Sequence, residues 1–260
     1  MDAAERDLLA ETLRKTMTDA SGTALDAAMT EIGWPELLAE LPDVAIPLVF
    51  KLLGETGAHG PFLNDVLLNA AGRPVGGTLP LPFRGGSWVV WERSDAGSDA
   101  IDGELPLRPA EAGDPVPLAA GRRALGWWLV GTGRAMLELA RSHALTRTQF
   151  GRPIASFQAV RHRLAETLIA LEGAEATLVA AEDDLGSLLA KAAAGQAALE
   201  AARHCQQVLG GIGFTAEHDL HRHFRRVLVL DGLLGGTREL TREAGALLRR
   251  SGSVPRLVNL

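Results

Sequence analysis

Two short stretches of this chain carry side chains suited to holding an anionic, ring-bearing ligand. In "ALTRTQFGRPIASFQAVRHRLAE" (144–166), Arg147 and Phe150 stand three residues apart at the predicted end of a helix, a spacing that puts both on one face. A guanidinium there offers phosphate a planar, two-pronged donor, and the phenyl ring offers its face to another ring. The second stretch, "CQQVLGGIGF" (205–214), closes a helix with Gly210, Gly211 and Gly213. Lacking side chains, these residues let a ligand approach the backbone, and Gln207 in the preceding turn can both donate and accept. Taken singly, each stretch also has a plain reading, since glycine is a common helix C-cap.

A third stretch, "DGLLGGTREL" (231–240), places Gly235 and Gly236 before Thr237, with Asp231 and Glu239 on either side. Glu239 reads as a first-turn carboxylate near the N-terminus of the last helix. The run "HDLHRHFRRV" (218–227) holds His218, His221 and His223 but no Cys or carboxylate at a good ligand spacing. It reads as a solvated or interface-facing helix, and no metal is expected. With one cysteine, Cys205, an internal disulfide is excluded. In an apolar helix it reads as a small core residue rather than a nucleophile.

The elements that must position these residues are mostly helical. Apolar residues at helical spacing predict a helix over 2–18, then shorter ones over 24–32, 35–41, 47–57 and 61–71, each punctuated by Gly or Pro. Between 72 and 118 the composition turns to Pro and Gly, and "SWVVWE" (87–92) is the clearest strand among an expected two to four. Long helices follow over 119–148, 157–184, 187–209 and 237–250, with a shorter one over 219–229, and short turns between them predict an antiparallel bundle. The chain is therefore mainly α: a helical domain over 1–72, a reduced β segment over 73–118, and a four-helix bundle with an added helix over 119–260. Leu125, Trp127, Trp128, Leu129 and Val130 form a nearly continuous apolar run. Together with the 187–209 helix it predicts a second face buried in an oligomer, one of the adjacent tryptophans meeting a partner subunit or ligand.

Composition narrows the functions. A net charge of −6 and a pI near 5.7 argue against a general nucleic-acid binder. The N-terminus is charged from its second residue and no run approaches the ~18 apolar residues of a membrane span, so a cytoplasmic protein without membrane contact is expected.

In this order, "R-x-x-F-G-x-x-I-x-x-F-Q" and then "Q-x-x-G-G-x-G-F" resemble the C-terminal domain of the acyl-CoA dehydrogenase family of flavoproteins. The resemblance covers about 117–250 well and extends weakly to 31–68 through "EIGWPELL" and "LLGETGAHGPFLNDVLL". It implies that Arg147, Phe150, Gln207, Gly210 and Gly211 clasp the ADP half of an FAD seated in a neighbouring subunit. It also implies a catalytic glutamate that removes the α-proton of an acyl-CoA thioester, commonly just before Gly-Thr. Here that place holds Gly235, in a loop one residue longer, and the family's alternative base position falls on Gly121. Arg122 matches a family arginine near the active site.

Glycine cannot accept a proton, and proton abstraction needs a base within hydrogen-bond reach. No catalytic residue is therefore assigned, with Asp231 weighed as a displaced substitute. The resemblance implies a non-catalytic subunit of a heteromeric (α2β2) acyl-CoA dehydrogenase. A full-length partner chain would supply the base and flavin bed and hold most of the acyl-CoA, a steroid or other bulky acyl group being one candidate class. The alternatives are a self-sufficient flavin oxidase or monooxygenase with a displaced base, and a non-enzymatic scaffold that has lost FAD.

Overall fold

The computed structural model of the chain describes residues 2–253. Helix α1 (Ala3–Asp19) starts from a capping box in which Asp2 accepts from the Glu5 amide and Glu5 from the Asp2 amide, both at 2.8 Å. Two donors that a helix start leaves orphaned are thereby satisfied. Helices α2 (Gly22–Ile32), α3 (Trp34–Glu40), α4 (Pro42–Thr56) and α5 (Phe62–Ala70) follow. Helix α4 departs from the predicted start at Pro47: it begins at Pro42 and runs through Pro47. A proline costs nothing at the first helical position, whereas Pro47 forgoes an intrahelical hydrogen bond. Burial of Ala45, Ile46, Val49 and Phe50 around it offsets that loss.

Strands β1 (Pro80–Phe83), β2 (Ser87–Trp91) and β3 (Leu107–Pro109) form an antiparallel sheet in that order, with Leu81 opposite Val89 and Val90 opposite Arg108. The strand legible in the sequence is the central one. Its neighbour β1 carries two prolines, which an outer strand tolerates because their missing donors leave few ladder bonds unmade. That outer edge meets the far end of the chain: the Leu234 amide donates to the Pro82 carbonyl at 2.7 Å, and Phe83 bridges Leu233.

Helix α6 (Ala119–Thr146) leads into a hairpin, β4 (Thr148–Gln149) with β5 (Arg152–Pro153). Helices α7 (Gln158–Val179), α8 (Asp184–Leu209), α9 (Leu220–Gly232) and α10 (Thr237–Ser251) complete the described chain. The fold is mainly α, and α8 packs against α6, α7, α9 and α10. Helices α4 and α6 cross at Gly54 and Gly131, where a β-carbon on either would strike the other's backbone. One buried hydrophobic cluster runs through residues of all three sequence segments.

The central place of α6 overturns the expectation that its apolar run needs an oligomer. Leu125, Trp127, Trp128, Leu129 and Val130 are all buried within this chain, because α4, α5, α7, α8 and α9 enclose the helix. A helix surrounded in this way is apolar all round for internal reasons. Trp128 stacks on Trp91 with 5.6 Å between ring centroids, while Trp127 turns away and lies under the Lys51 ammonium at 5.9 Å. The 187–209 stretch of α8 is likewise covered mostly by its own neighbours. Large apolar side chains left exposed include Leu145 near the end of α6 and Leu189 on α8, and, outside these helices, Phe150, Ile169, Val179 and Phe214.

Candidate functional site

The turn from α9 to α10 is held from four directions. Asp231, buried at the end of α9, accepts from the Thr237 hydroxyl at 2.5 Å and from the Thr237 amide at 3.2 Å. It therefore caps α10 across the turn, as an N-cap carboxylate does. Glu239 reaches back to the Gly236 amide at 2.9 Å and out to the Gly85 amide at 2.8 Å, and these two donors hold its carboxyl below the usual range. Arg122 donates to the Leu234 carbonyl at 3.3 Å. From α8, the fully buried Lys191 donates to the carbonyls of Asp231 at 2.9 Å and Gly235 at 2.6 Å, and burial pushes its ammonium down to about 7. The sequence singled out the other side chains of this turn but not Lys191, a lone lysine in an alanine-rich helix.

At Gly235 the backbone has φ +102°, and an added β-carbon would lie 2.7 Å from Leu240 Cδ2. A side chain there is opposed by both conformation and space. At Gly121 the obstacle is space alone: a β-carbon would stand 2.7 Å from Leu67 Cδ2 and 2.8 Å from Leu234 Cδ1. Leucine side chains from α5 and the α9–α10 turn fill the gap. In this arrangement one nearby carboxylate, Asp231, is engaged in capping, the other, Glu239, binds backbone amides, and Leu67 and Leu234 close the space over Gly121.

The second candidate region lies at the opposite end of α6. The structure corrects the expectation that Arg147 and Phe150 share a helix face. Helix α6 ends at Thr146, Arg147 is its extended C-cap with ψ 119°, and Phe150 sits at the tip of the β4–β5 hairpin with φ +53°. Phe150 and Gly151 both take positive φ, which is the two-residue hairpin turn that matches strand twist. The hairpin is tied to α6 by the Ile154 amide donating to the Arg147 carbonyl at 2.8 Å. Phe150 is 91% exposed, with Phe157 edge-on to it at 6.1 Å and the Arg152 guanidinium 4.4 Å over the Phe157 ring. Gln207 is exposed on the last turn of α8, and a β-carbon on Gly210 or Gly211 would meet nothing within 4 Å. Gly210 adopts φ 65° and ψ −139°, so the backbone turns out of the helix where side-chain-bearing residues seldom go. Burial, and then the charges of His218 and Arg147, hold the His143 imidazole below its usual range.

Two further outcomes concern residues read from sequence. Cys205 is fully buried, and burial pushes its thiol up to about 12, which leaves it inert. His223 is buried rather than solvated, against Gly57. It belongs to a buried polar cluster in which Arg226 pairs with Asp102, binds Glu104 at 2.9 Å and donates to the carbonyls of Gly57 and Ala58. Burial and Arg226 push both His59 and His223 down to about 4. The sign in the sequence is that Arg226 falls on the apolar side of α9, in register with Leu230 and His223.

Residues 116–247, about half of the chain, match the family model for the acyl-CoA dehydrogenase C-terminal domain. The chain is 42% identical over 127 residues to the acyl-CoA dehydrogenase FadE34 of Mycobacterium tuberculosis, a match covering 45% of this chain and 18% of that protein. It is 37% identical over 116 residues to the acyl-CoA dehydrogenase IpdE2 of the same organism, covering 44% and 36%. The matched region is thus well under half the length of these relatives. Among solved structures, a variant of the Tcur3481-Tcur3483 steroid ACAD superposes with a TM-score of 0.77 at 17% identity, over 96% of this chain and 99% of that one. A chain of the ChsE4-ChsE5 complex from Mycobacterium tuberculosis gives 0.69 at 19% identity, over 98% and 99%. At these identities the two structures share the fold.

Proposed function

Because this chain belongs to the acyl-CoA dehydrogenase family, we propose that it is a non-catalytic subunit that helps hold FAD at an interface with a longer acyl-CoA dehydrogenase chain. The partner supplies the base and the acyl-CoA pocket for α,β-dehydrogenation of the thioester. The observation that carries this reading is a division within one molecule: the base positions are blocked, while the clasp residues stand open to solvent.

At the closed end, Leu67 and Leu234 lie against Gly121, so a base side chain there would have to displace a buried leucine. At the open end, the donor set fits the ADP half of FAD. Arg147 suits a pyrophosphate, Phe150 offers a ring face, Gln207 can bond an adenine edge, and Gly210 and Gly211 leave backbone bare for close approach. An aromatic residue this exposed is the kind of anchor that a subunit interface covers. When bound, FAD would accept the β-hydride of the acyl thioester. The fold shared with a chain of the ChsE4-ChsE5 complex supports a partner, and the fold shared with the steroid ACAD supports a bulky acyl group.

The test is to purify the tagged chain alone, and again after co-expression with a neighbouring acyl-CoA dehydrogenase gene, and to measure flavin and acyl-CoA-dependent dye reduction. Flavin and turnover are expected only in the complex. Flavin and turnover in the chain alone would mark it as a self-sufficient flavoenzyme, and a complex whose flavin is unaffected by this chain would mark it as a scaffold.

A further inference from the structure

Lys191 places a charge in the most buried stretch of α8, between Ala190 and Ala192, and the function proposed above gives it no task. The two carbonyls it binds, those of Asp231 and Gly235, bracket a tight turn. Within that turn Leu234 has φ +55°, a left-handed conformation that residues with a β-carbon seldom adopt. Such a conformation persists only where its surroundings over-determine it. Here the Leu234 amide donates to Pro82, its carbonyl accepts from Arg122, and Lys191 grips the backbone on both sides. The result is that the Leu234 side chain is 1% exposed and lies against Gly121, facing Leu67.

We propose that Lys191 is a positioning latch: by spanning the Asp231 and Gly235 carbonyls it keeps the α9–α10 turn folded inward and so keeps Leu234 in the space beside Gly121. That this space is where a catalytic relative would seat the acyl thioester rests on the subunit reading; the latch itself rests on the hydrogen bonds and the backbone conformation. The charges facing Lys191 are the Asp231 carboxylate on α9 and Glu239 on α10, which favour the ammonium, and Arg122 on α6, which opposes it. Burial, with Arg122 adding to it, outweighs the two carboxylates and brings its titration down to about 7. A neutral amine still has N–H groups for both carbonyls and no longer carries a buried charge. Opening the turn returns the amine to water and to its ordinary value of 10.5, so the closed latch is increasingly favoured as pH rises above about 7 and is weakest below it.

The test is amide hydrogen exchange on the full chain and on Lys191→Met, which keeps the side-chain volume without the donors. The amides of Leu234, Gly236 and Thr237 are expected to exchange on the order of 10-fold faster in the variant, while Leu129 in α6 and Leu171 in α7 stay within about twofold. Unchanged exchange in the turn, or loosening spread equally to Leu129 and Leu171, would overturn the latch. Should Lys191→Met not fold, the unmodified chain decides the matter. It has three lysines, Lys15, Lys51 and Lys191, so lysine-labelled NMR can follow Lys191 by itself. Turn exchange, corrected for the intrinsic pH dependence, should fall as pH rises through the midpoint of Lys191. A Lys191 midpoint at the ordinary lysine value of 10.5, or turn exchange that stays level or rises through its titration, refutes the proposal. None of these readouts involves flavin or acyl-CoA, so failure here and failure of the subunit reading are separable.

Discussion

Leu234 stands where a side chain on Gly121 would have to go, its Cδ1 2.8 Å from the place of the missing β-carbon. Leu67 blocks the same point from α5 at 2.7 Å, so neither side of the gap can yield without moving a buried leucine. Gly121→Ala should therefore destabilise the chain by about 1–3 kcal/mol through overpacking, read as a lower urea midpoint. Leu234→Ala combined with it should recover part of that loss, since contacting residues couple. Gly121→Glu should fail to give the isolated chain dye-reducing activity with any acyl-CoA. Turnover by a folded Gly121→Glu protein would show that the space opens readily.

Arg147 is exposed and leaves α6 in an extended conformation, so removing its guanidinium should not disturb the helices. In the co-purified complex, Arg147→Ala should cost a charge-assisted contact of roughly 1.5–3 kcal/mol with the FAD pyrophosphate. That is about 10- to 150-fold weaker flavin retention. Arg147→Lys should restore only part, because an ammonium lacks the planar fork. Flavin affinity that is indifferent to Arg147→Ala, with an unchanged circular dichroism spectrum, would reduce the residue to a surface arginine.

Phe150 separates local conformation from assembly. It is 91% exposed and occupies a left-handed position that Asn tolerates better than Phe. Phe150→Asn should accordingly leave the stability of the isolated chain within about 0.5 kcal/mol. The complex should nonetheless weaken, by about 1 kcal/mol or more if the ring is an interface anchor. Thermal melts of the chain and the dissociation constant of the complex check the two halves. Equal affinity for the partner would count against the hairpin as a contact.

Acid should loosen the buried cluster around Arg226. Burial, followed by the Arg226 charge, pushes His59 and His223 from 6.5 down to about 4, so the folded chain disfavours their protonation while the unfolded chain does not. A base whose folded-state value is depressed contributes stability that is complete above its unfolded value and declines below it. Stability should thus be highest above pH 6.5 and fall between about pH 6.5 and 4, each histidine contributing a slope of up to about 1.4 kcal/mol per pH unit. Urea midpoints across that range are the measurement. The slope should shrink in His223→Gln, and a profile identical to that of the unmodified chain would remove His223 from the account.

Much of the architecture was legible before any contact was known. The helix bounds fall within a few residues of the apolar periodicity, and "SWVVWE" is the central strand. Periodicity reports which face of an element is buried, whatever buries it. It could not say that Pro47 lies inside α4, because the helix gains from packing against α6 more than it loses in one hydrogen bond. Nor could it place Arg147 and Phe150, since three-residue spacing brings side chains together in a helix and not across a hairpin tip.

What the sequence determined by itself was an absence and a set of chemical capacities: glycine at 121 and 235 has no proton acceptor in any fold, and arginine at 147 is cationic in any fold. What tertiary structure decided was environment. Leu234 fills the space over Gly121, Asp231 caps α10 instead of standing free, and Lys191 and His223 lose their usual affinity for protons. Each of these depends on groups brought in from remote parts of the chain, such as Leu67 from α5, Lys191 from α8 and Arg122 from α6. Burial and electrostatic fields fall off with distance in space, and distance along the chain does not report them.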